Sequence, residues 1–264
     1  MSLIITEQHG YVKVITLNRE DARNALSVPL MQALKQALVD AEQDPHTRCL
    51  MITGKGDKAF CSGADLSNTM ATEQQSTPND FLQQHHNRQH IAQLFLGLRQ
   101  HPKPIIAAVN GLALAGGMGL MLACDLAVAR EDACLGLPEV KRGLMPYMVM
   151  ALLNRHIGSK RTLELVLTGQ NISAAQALNY GLINQIISKE NFTKQAIAYA
   201  QTVANYSSAV LQMGKRAFYK QQDLDLEHGI DFLHQQLTIN AQLDDFKEGI
   251  AAFFEKRTPD WKNS

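Results

Sequence analysis

Only four cysteines occur, at positions 49, 61, 124 and 134, and no two have the close spacing of a zinc site or a thioredoxin-like motif. Most of them read as buried thiols of a reducing compartment. An excess of either charge is missing too, since 25 Lys and Arg balance 25 Asp and Glu. Without a global basic field, nucleic acid is not an expected partner. The local cluster Lys256, Arg257 and Lys262 reads as a solvated tail. No apolar run reaches the roughly eighteen residues of a membrane span. The opening MSLIITEQHGYVKVITL has neither the basic flank nor the continuous apolar core of a signal peptide. A cytoplasmic protein without a membrane segment is expected.

What is present is apolar residue, 45% of 264, enough for one large domain with or without a helical appendage. Short β-like runs alternate with helices in the first half. Residues 3–7 and 11–17 read as strands of a hairpin turning at Gln8-His9-Gly10. Pro29 marks the first turn of a helix to about Gln43, with Leu30, Ala33, Leu34, Ala37, Leu38 and Ala41 at helical spacing. RCLMIT (48–53) is a buried strand stopped by Gly54 and Gly56, and KAFCSGADL (58–66) a loop or short strand. Residues 67–80 are polar and unpatterned, as in a mobile surface segment. A helix follows from about 79 to 100, then strands at 105–109 and 126–130. After Pro146 helices are expected at 147–156, 159–167, 173–180, 189–205, 208–220, 223–241 and 243–256, with one strand at 182–187. This alternation implies an α/β architecture. It divides into a core over 1–200 and a C-terminal helical region over 201–264 that serves assembly or acts as a lid.

The densest punctuation is NGLALAGGMGLMLACD at 110–125, where Gly111, Gly116, Gly117 and Gly119 precede an apolar run. Glycines so placed let a backbone approach something closely. The N–H groups freed at a helix start suit an anion or a developing negative charge. The dinucleotide fingerprint, the phosphate-loop lysine and the nucleophile elbow are all absent here. Upstream, Cys61-Ser62-Gly63-Ala64-Asp65 lies between a strand and a polar loop. If the two turns converge, each offers one N–H to the same oxygen, an oxyanion hole in which each donor contributes about 3–4 kcal/mol to a transition state. Asp125 reads as a structural hydrogen-bonding residue. His86 and His90 have the spacing of a metal pair but no third ligand, and read as a solvated helix face.

The fragments PKPIIAAVNGLALAGGMGLMLACDLAVA, KAFCSGADL and LGLPEVKRGLMP together resemble the enoyl-CoA hydratase/isomerase family, the crotonase superfamily. LNREDARNALS, LVLTGQNISAAQALNYGLINQII and AFFEKRTPDW extend the resemblance in order over nearly the whole chain. It implies a crotonase-like spiral of ββα units whose C-terminal helices build homotrimers, often paired into hexamers. It implies an acyl-CoA thioester substrate, no cofactor besides the coenzyme A within that substrate, and no metal. By motif position the oxyanion donors are the N–H groups of Ala64 and Gly116. Of the two glutamates used by the family's hydratases, Gly119 stands at the first position and Glu139 keeps the second. An apolar neighbourhood raises the pKa of such a carboxylate toward the useful range. A lone carboxylate suffices to shift a double bond, whereas hydration must also hold a water. Isomerisation is therefore favoured over hydration, with a non-catalytic acyl-CoA binder or another oxyanion chemistry as further alternatives. The substrate-binding set is Arg23, Ala25, Lys58, Ser62, Asp65, Gly117, Gly119, Pro138, Tyr147 and Lys256. The adenine is expected against the 58–64 loop, with Arg23 and Lys256 or Arg257 near phosphates. Tyr147-Met148-Val149-Met150 either fill the space of a water or line an acyl pocket.

Overall fold

A computed structural model describes residues 2–65 and 81–263. The sequence first lays down an antiparallel pair, β1 (Ile4–His9) and β2 (Val12–Leu17). The turn falls at Gly10-Tyr11, not at Gln8-His9-Gly10: Gln8 and His9 stay paired with Lys13 and Val12, and Gly10 alone takes the left-handed conformation (φ 56°). Helix α1 (Val28–Gln43) begins where the Ser27 hydroxyl accepts the Leu30 N–H, with Pro29 in its first turn. Its stripe Leu30, Leu34, Ala37, Leu38 and Ala41 is buried, as the helical spacing requires.

From there the chain repeats one unit. Strand β3 (Cys49–Gly54) enters a large sheet, the short β4 (Ala59–Cys61) enters a small one, and helix α2 (Phe81–Gln100) returns. Next come β5 (Ile105–Val109), β6 (Leu112–Leu114) and α3 (Gly116–Leu122). Then follow β7 (Leu126–Arg130), β8 (Cys134–Gly136), a 3-10 turn (Pro138–Arg142) and α4 (Tyr147–Thr168), which breaks at Gly158 (φ 72°). Three successive ββα turns of this kind are the spiral. The rest is β9 (Asn171–Ser173), α5 (Ala174–Asn179), β10 (Gln185–Ile187), α6 (Phe192–Ala204), α7 (Ser208–Gln221), α8 (Leu226–Asn240) and α9 (Asp244–Glu255).

The large sheet runs β1-β2-β3-β5-β7-β10 and is parallel from β2 onward; the small one runs β4-β6-β8-β9. Alternate residues of the buried strands serve two cores. Leu50, Ile52, Ile105 and Ala107 face α1 and α2, while Cys49, Met51, Ile106 and Ala108 meet Phe192, Ala196 and Ala200 of α6. Several expected elements shift: the strand at 182–187 is paired only from Gln185, and β6, β8 and β9 were not anticipated. The surface segment expected over 67–80, Leu66, and the first two residues of the helix expected from 79 lie outside the described residues. Asp125 has its structural role. Its carboxylate accepts the Ile105 N–H (2.7 Å) and the Tyr219 hydroxyl (2.8 Å), and Lys215 Nζ lies 2.7 Å away, tying α7 to the end of α3.

Candidate active site

Strands β4, β6 and β8 are adjacent and parallel, so their carboxyl ends share one edge of the small sheet. Each of the three sequence motifs follows one of those ends: Ala64 after β4, Gly116 after β6 and Glu139 after β8. The topology thus gathers residues separated by more than seventy positions, in the place where parallel sheets commonly bind ligands.

Glycine makes the approach possible. A Cβ on Gly117 would stand 2.0 Å from the Cys61 carbonyl oxygen, and one on Gly111 2.5 Å from the Lys58 carbonyl oxygen. Only bare backbone lets 111–117 lie on β4. The turn into α3 is made by Ala115 at φ 52°, ψ −127°, held by its N–H bond to the Gly136 carbonyl (2.8 Å). That conformation is a strained one for a residue with a Cβ. On the other side, Leu26 bridges to Ala64 through the Gly63 carbonyl and the Asp65 N–H. By strand alternation the intervening Ala64 N–H faces away from Leu26. A Cβ on Gly116 would lie 3.6 Å from Ala64 N, and one on Gly63 3.3 Å from Gly116 N. Standard bond lengths then keep the two nitrogens within about 6 Å of each other at most, the neighbourhood in which two N–H groups can share one oxygen.

The Ala64 loop is braced by residues that the sequence reading passed over. Arg19 donates to Asp65 Oδ2 (2.8 Å) and to the Ala25 carbonyl (2.7 Å). Asn24, fully buried in a left-handed turn, donates to the Lys55 and Ala59 carbonyls. Asn in LNREDARNALS was the available signal, since Asn tolerates positive φ and bonds backbone. Arg23 shares that turn, and its carbonyl accepts the Ser62 N–H, which places Arg23, Ala25 and Ser62 beside Ala64.

Glu139 sits on the 3-10 turn after β8. Its Oε2 is buried without a hydrogen-bond partner, and burial pushes its pKa above the ordinary carboxylate range, with its own backbone N–H and, less, Arg142 pulling the other way. Such an orphaned oxygen is uncommon in folded proteins. Arg142 follows by three residues, the eclipsed position on a 3-10 turn.

At Gly117 and Gly119, both expected to touch substrate, protein fills the side-chain directions, which leaves their backbone as the part that can face it. A Cβ on Gly119 would meet the Phe95 ring at 2.5 Å and Val149 Cγ2 at 2.9 Å. Both glycines therefore let α3 pack closely on β4, α2 and α4. Phe95 was not anticipated, because nothing local marks α2 as the neighbour of α3. Pro138 opens the turn that carries Glu139, and Tyr147 stands largely exposed at the start of α4. Lys58 is exposed in the loop before β4. Lys256 caps α9 in a left-handed conformation (φ 53°), on a helix whose packing partner is α7. Its neighbour Arg257 is paired with Glu248 and Glu255.

The sequence profile described as Enoyl-CoA hydratase/isomerase matches residues 7–264. The chain belongs to this family. It is 38% identical over 260 residues to "Probable enoyl-CoA hydratase, mitochondrial" of Dictyostelium discoideum, covering 98% of this chain and 90% of that one. It is 36% identical to the 2,3-dehydroadipyl-CoA hydratase of Escherichia coli K12, over 99% of each. The crystal structure of an enoyl-CoA hydratase from Bacillus anthracis superposes over 100% of both chains with a TM-score of 0.92 at 34% identity. The fold is thus the crotonase fold, and the chain is an enzyme of the hydratase/isomerase family. Among the described residues no helix is long and apolar enough to cross a membrane.

Proposed function

We propose that the chain moves a proton at the α-carbon of an enoyl-CoA thioester, with Ala64 and Gly116 holding the acyl oxygen and Glu139 as the single acid/base. In the favoured reaction, ionised Glu139 takes a proton from C2 of a 3-enoyl thioester. The electron pair passes to the oxygen as a dienolate, and the same carboxyl returns the proton at C4. The double bond then lies at C2–C3, no water is consumed, and the route needs no metal or cofactor. The observation that carries this reading is the shared edge of β4, β6 and β8, with an orphaned carboxylate oxygen at Glu139. Isomerisation rather than hydration is supported at Gly119, whose side-chain space belongs to Phe95 and Val149. The second reading, addition of water to a 2-enoyl thioester, is favoured by the names of the relatives at 36–38% identity.

In this reading the coenzyme A arm runs along Arg23, Ala25, Lys58 and Ser62. Asp65 braces the loop, Pro138 and Tyr147 border the acyl side, and Lys256 meets phosphate from a neighbouring subunit. The helices of 201–264 serve a homotrimer or a dimer of trimers, supported by the apolar residues that α8 and α9 expose. Buried thiols at Cys49, Cys61 and Cys124 support a cytoplasmic, reducing location.

The deciding assay offers 2-enoyl- and 3-enoyl-CoA and follows the conjugated thioester absorbance. A rise from 3-enoyl-CoA that is lost in Glu139→Gln supports isomerisation. A fall from 2-enoyl-CoA with water uptake supports hydration. Binding without turnover of either would make the protein an acyl-CoA binder and end the catalytic reading.

A further inference from the structure

We infer that Ile91 sets the width of the site at the acyl carbon next to the thioester carbonyl, admitting straight-chain acyl groups and turning away those branched at C2. The inference rests on Ala64 and Gly116 as the acyl-oxygen site.

Helix α2 meets α3 through two side chains four apart. Phe95 covers Gly119, and Ile91 covers Gly116. Ile91 Cδ1 lies 2.9 Å from the point where a Cβ on Gly116 would stand, and that same point is 3.6 Å from Ala64 N. The δ-methyl is therefore within about 6.5 Å of both proposed donors, with bond lengths as usual. An acyl oxygen accepting from both nitrogens at about 2.9 Å puts C1 and C2 in the neighbourhood of that methyl.

Two features assign this wall to the acyl side. The loops of Arg23, Ala25 and Ser62 border Ala64 through the Leu26 bridge, the side given to the coenzyme A arm. Ile91, Phe95 and Val149 border Gly116 and Gly119 on α3, and Val149 belongs to α4, the helix that follows the Glu139 turn, where C2 stands in that reading. Nor is the wall free to recede. Phe95 is 4% exposed, buried against Gly119, and so fixes how closely α2 lies on α3. Ile91, by contrast, is half-buried, with part of its side chain uncovered.

The test is calorimetric binding of two isomers, butyryl-CoA and isobutyryl-CoA, which differ only in where one methyl sits. Neither needs to react, so the measurement is independent of the reaction catalysed. Wild type should favour butyryl-CoA by about tenfold or more, the discrimination a single misplaced carbon commands in an apolar pocket. Ile91→Ala removes three carbons and should cut that ratio about tenfold, chiefly by tightening isobutyryl-CoA. Ile91→Val should move it the same way by less, and guards against a misfolded alanine variant. A ratio within twofold of wild type in both variants, with both ligands still bound, overturns the inference. So does a wild type that binds the two isomers equally. Failure of wild type to bind either would overturn the acyl-CoA reading itself, and this inference with it.

Discussion

At the scale of single residues, Glu139 is the proposed acid/base. Its Oε2 has no partner and its pKa is raised by burial. Glu139→Gln keeps the shape and removes the proton carrier, so turnover should fall about 10²–10⁴-fold while thioester binding holds. Steady-state rates beside a binding isotherm check this. The raised pKa has two consequences of opposite look. For catalysis, the base must be ionised, so the acid limb of kcat/KM should lie above the ordinary carboxylate range. For stability, the folded state holds its proton more tightly than the unfolded one. The favourable contribution is complete below the unfolded pKa of about 4.3 and is lost as pH rises through the folded value. Glu139→Gln should therefore melt higher than wild type at pH 7, with the two converging below about pH 4. Thermal unfolding across pH reads this; equal melting at neutral pH would mean that burial does not penalise the charge.

At the scale of elements, the packing of α3 decides the site. Gly117→Ala places a methyl against the Cys61 carbonyl, which is backbone and cannot turn aside. It should lower stability by about 1–3 kcal/mol and disturb the spacing of Ala64 and Gly116, as denaturant unfolding and binding would show. Gly119→Ala meets the buried Phe95 ring instead. A cost of similar size should shrink when Phe95→Leu is added, a coupling that a double-mutant cycle measures. Some of this was legible in the sequence. Helix α1 declared itself through Leu30, Leu34, Leu38 and Ala41, and β5 through its apolar run, because period and length are local signals. Strands β6, β8 and β9 have three residues each, too few for a period to register. They are strands because neighbours pair with them, so the continuation from β5 through Asn110 to Gly116 was read without its middle strand.

At the scale of the molecule, helices α8 and α9 hold a surface that the single chain leaves uncovered. Leu237, Phe253 and Phe254 are 63%, 74% and 77% exposed. Apolar faces of this kind mark contacts between chains. Light scattering should give a mass about three times 29.2 kDa, or twice that for a dimer of trimers, and Phe253→Asp with Phe254→Asp should shift it toward one chain. A monomer at micromolar concentration would remove the assembly proposal. Helix α7, by contrast, is joined to the core through Lys215 and Asp125, with Arg99 stacked on Tyr219. The C-terminal tail is held too, with Asp245 accepting from Ser207, Lys262 and Asn263.

By itself the sequence determined the family, the α/β spiral, the need for bare backbone near Gly116 and the survival of Glu139 in apolar surroundings. The glycines and the α/β alternation follow from residue type and local order, which any chain displays before it folds; the family, its spiral and the place of Glu139 follow from the resemblance of the motifs taken in order. Tertiary structure alone decided that the turns at Ala64 and Gly116 meet, and that Phe95 and Val149 occupy the side-chain space of Gly119. Contacts between residues tens of positions apart depend on how helices dock and strands pair, and composition and period do not encode that distance.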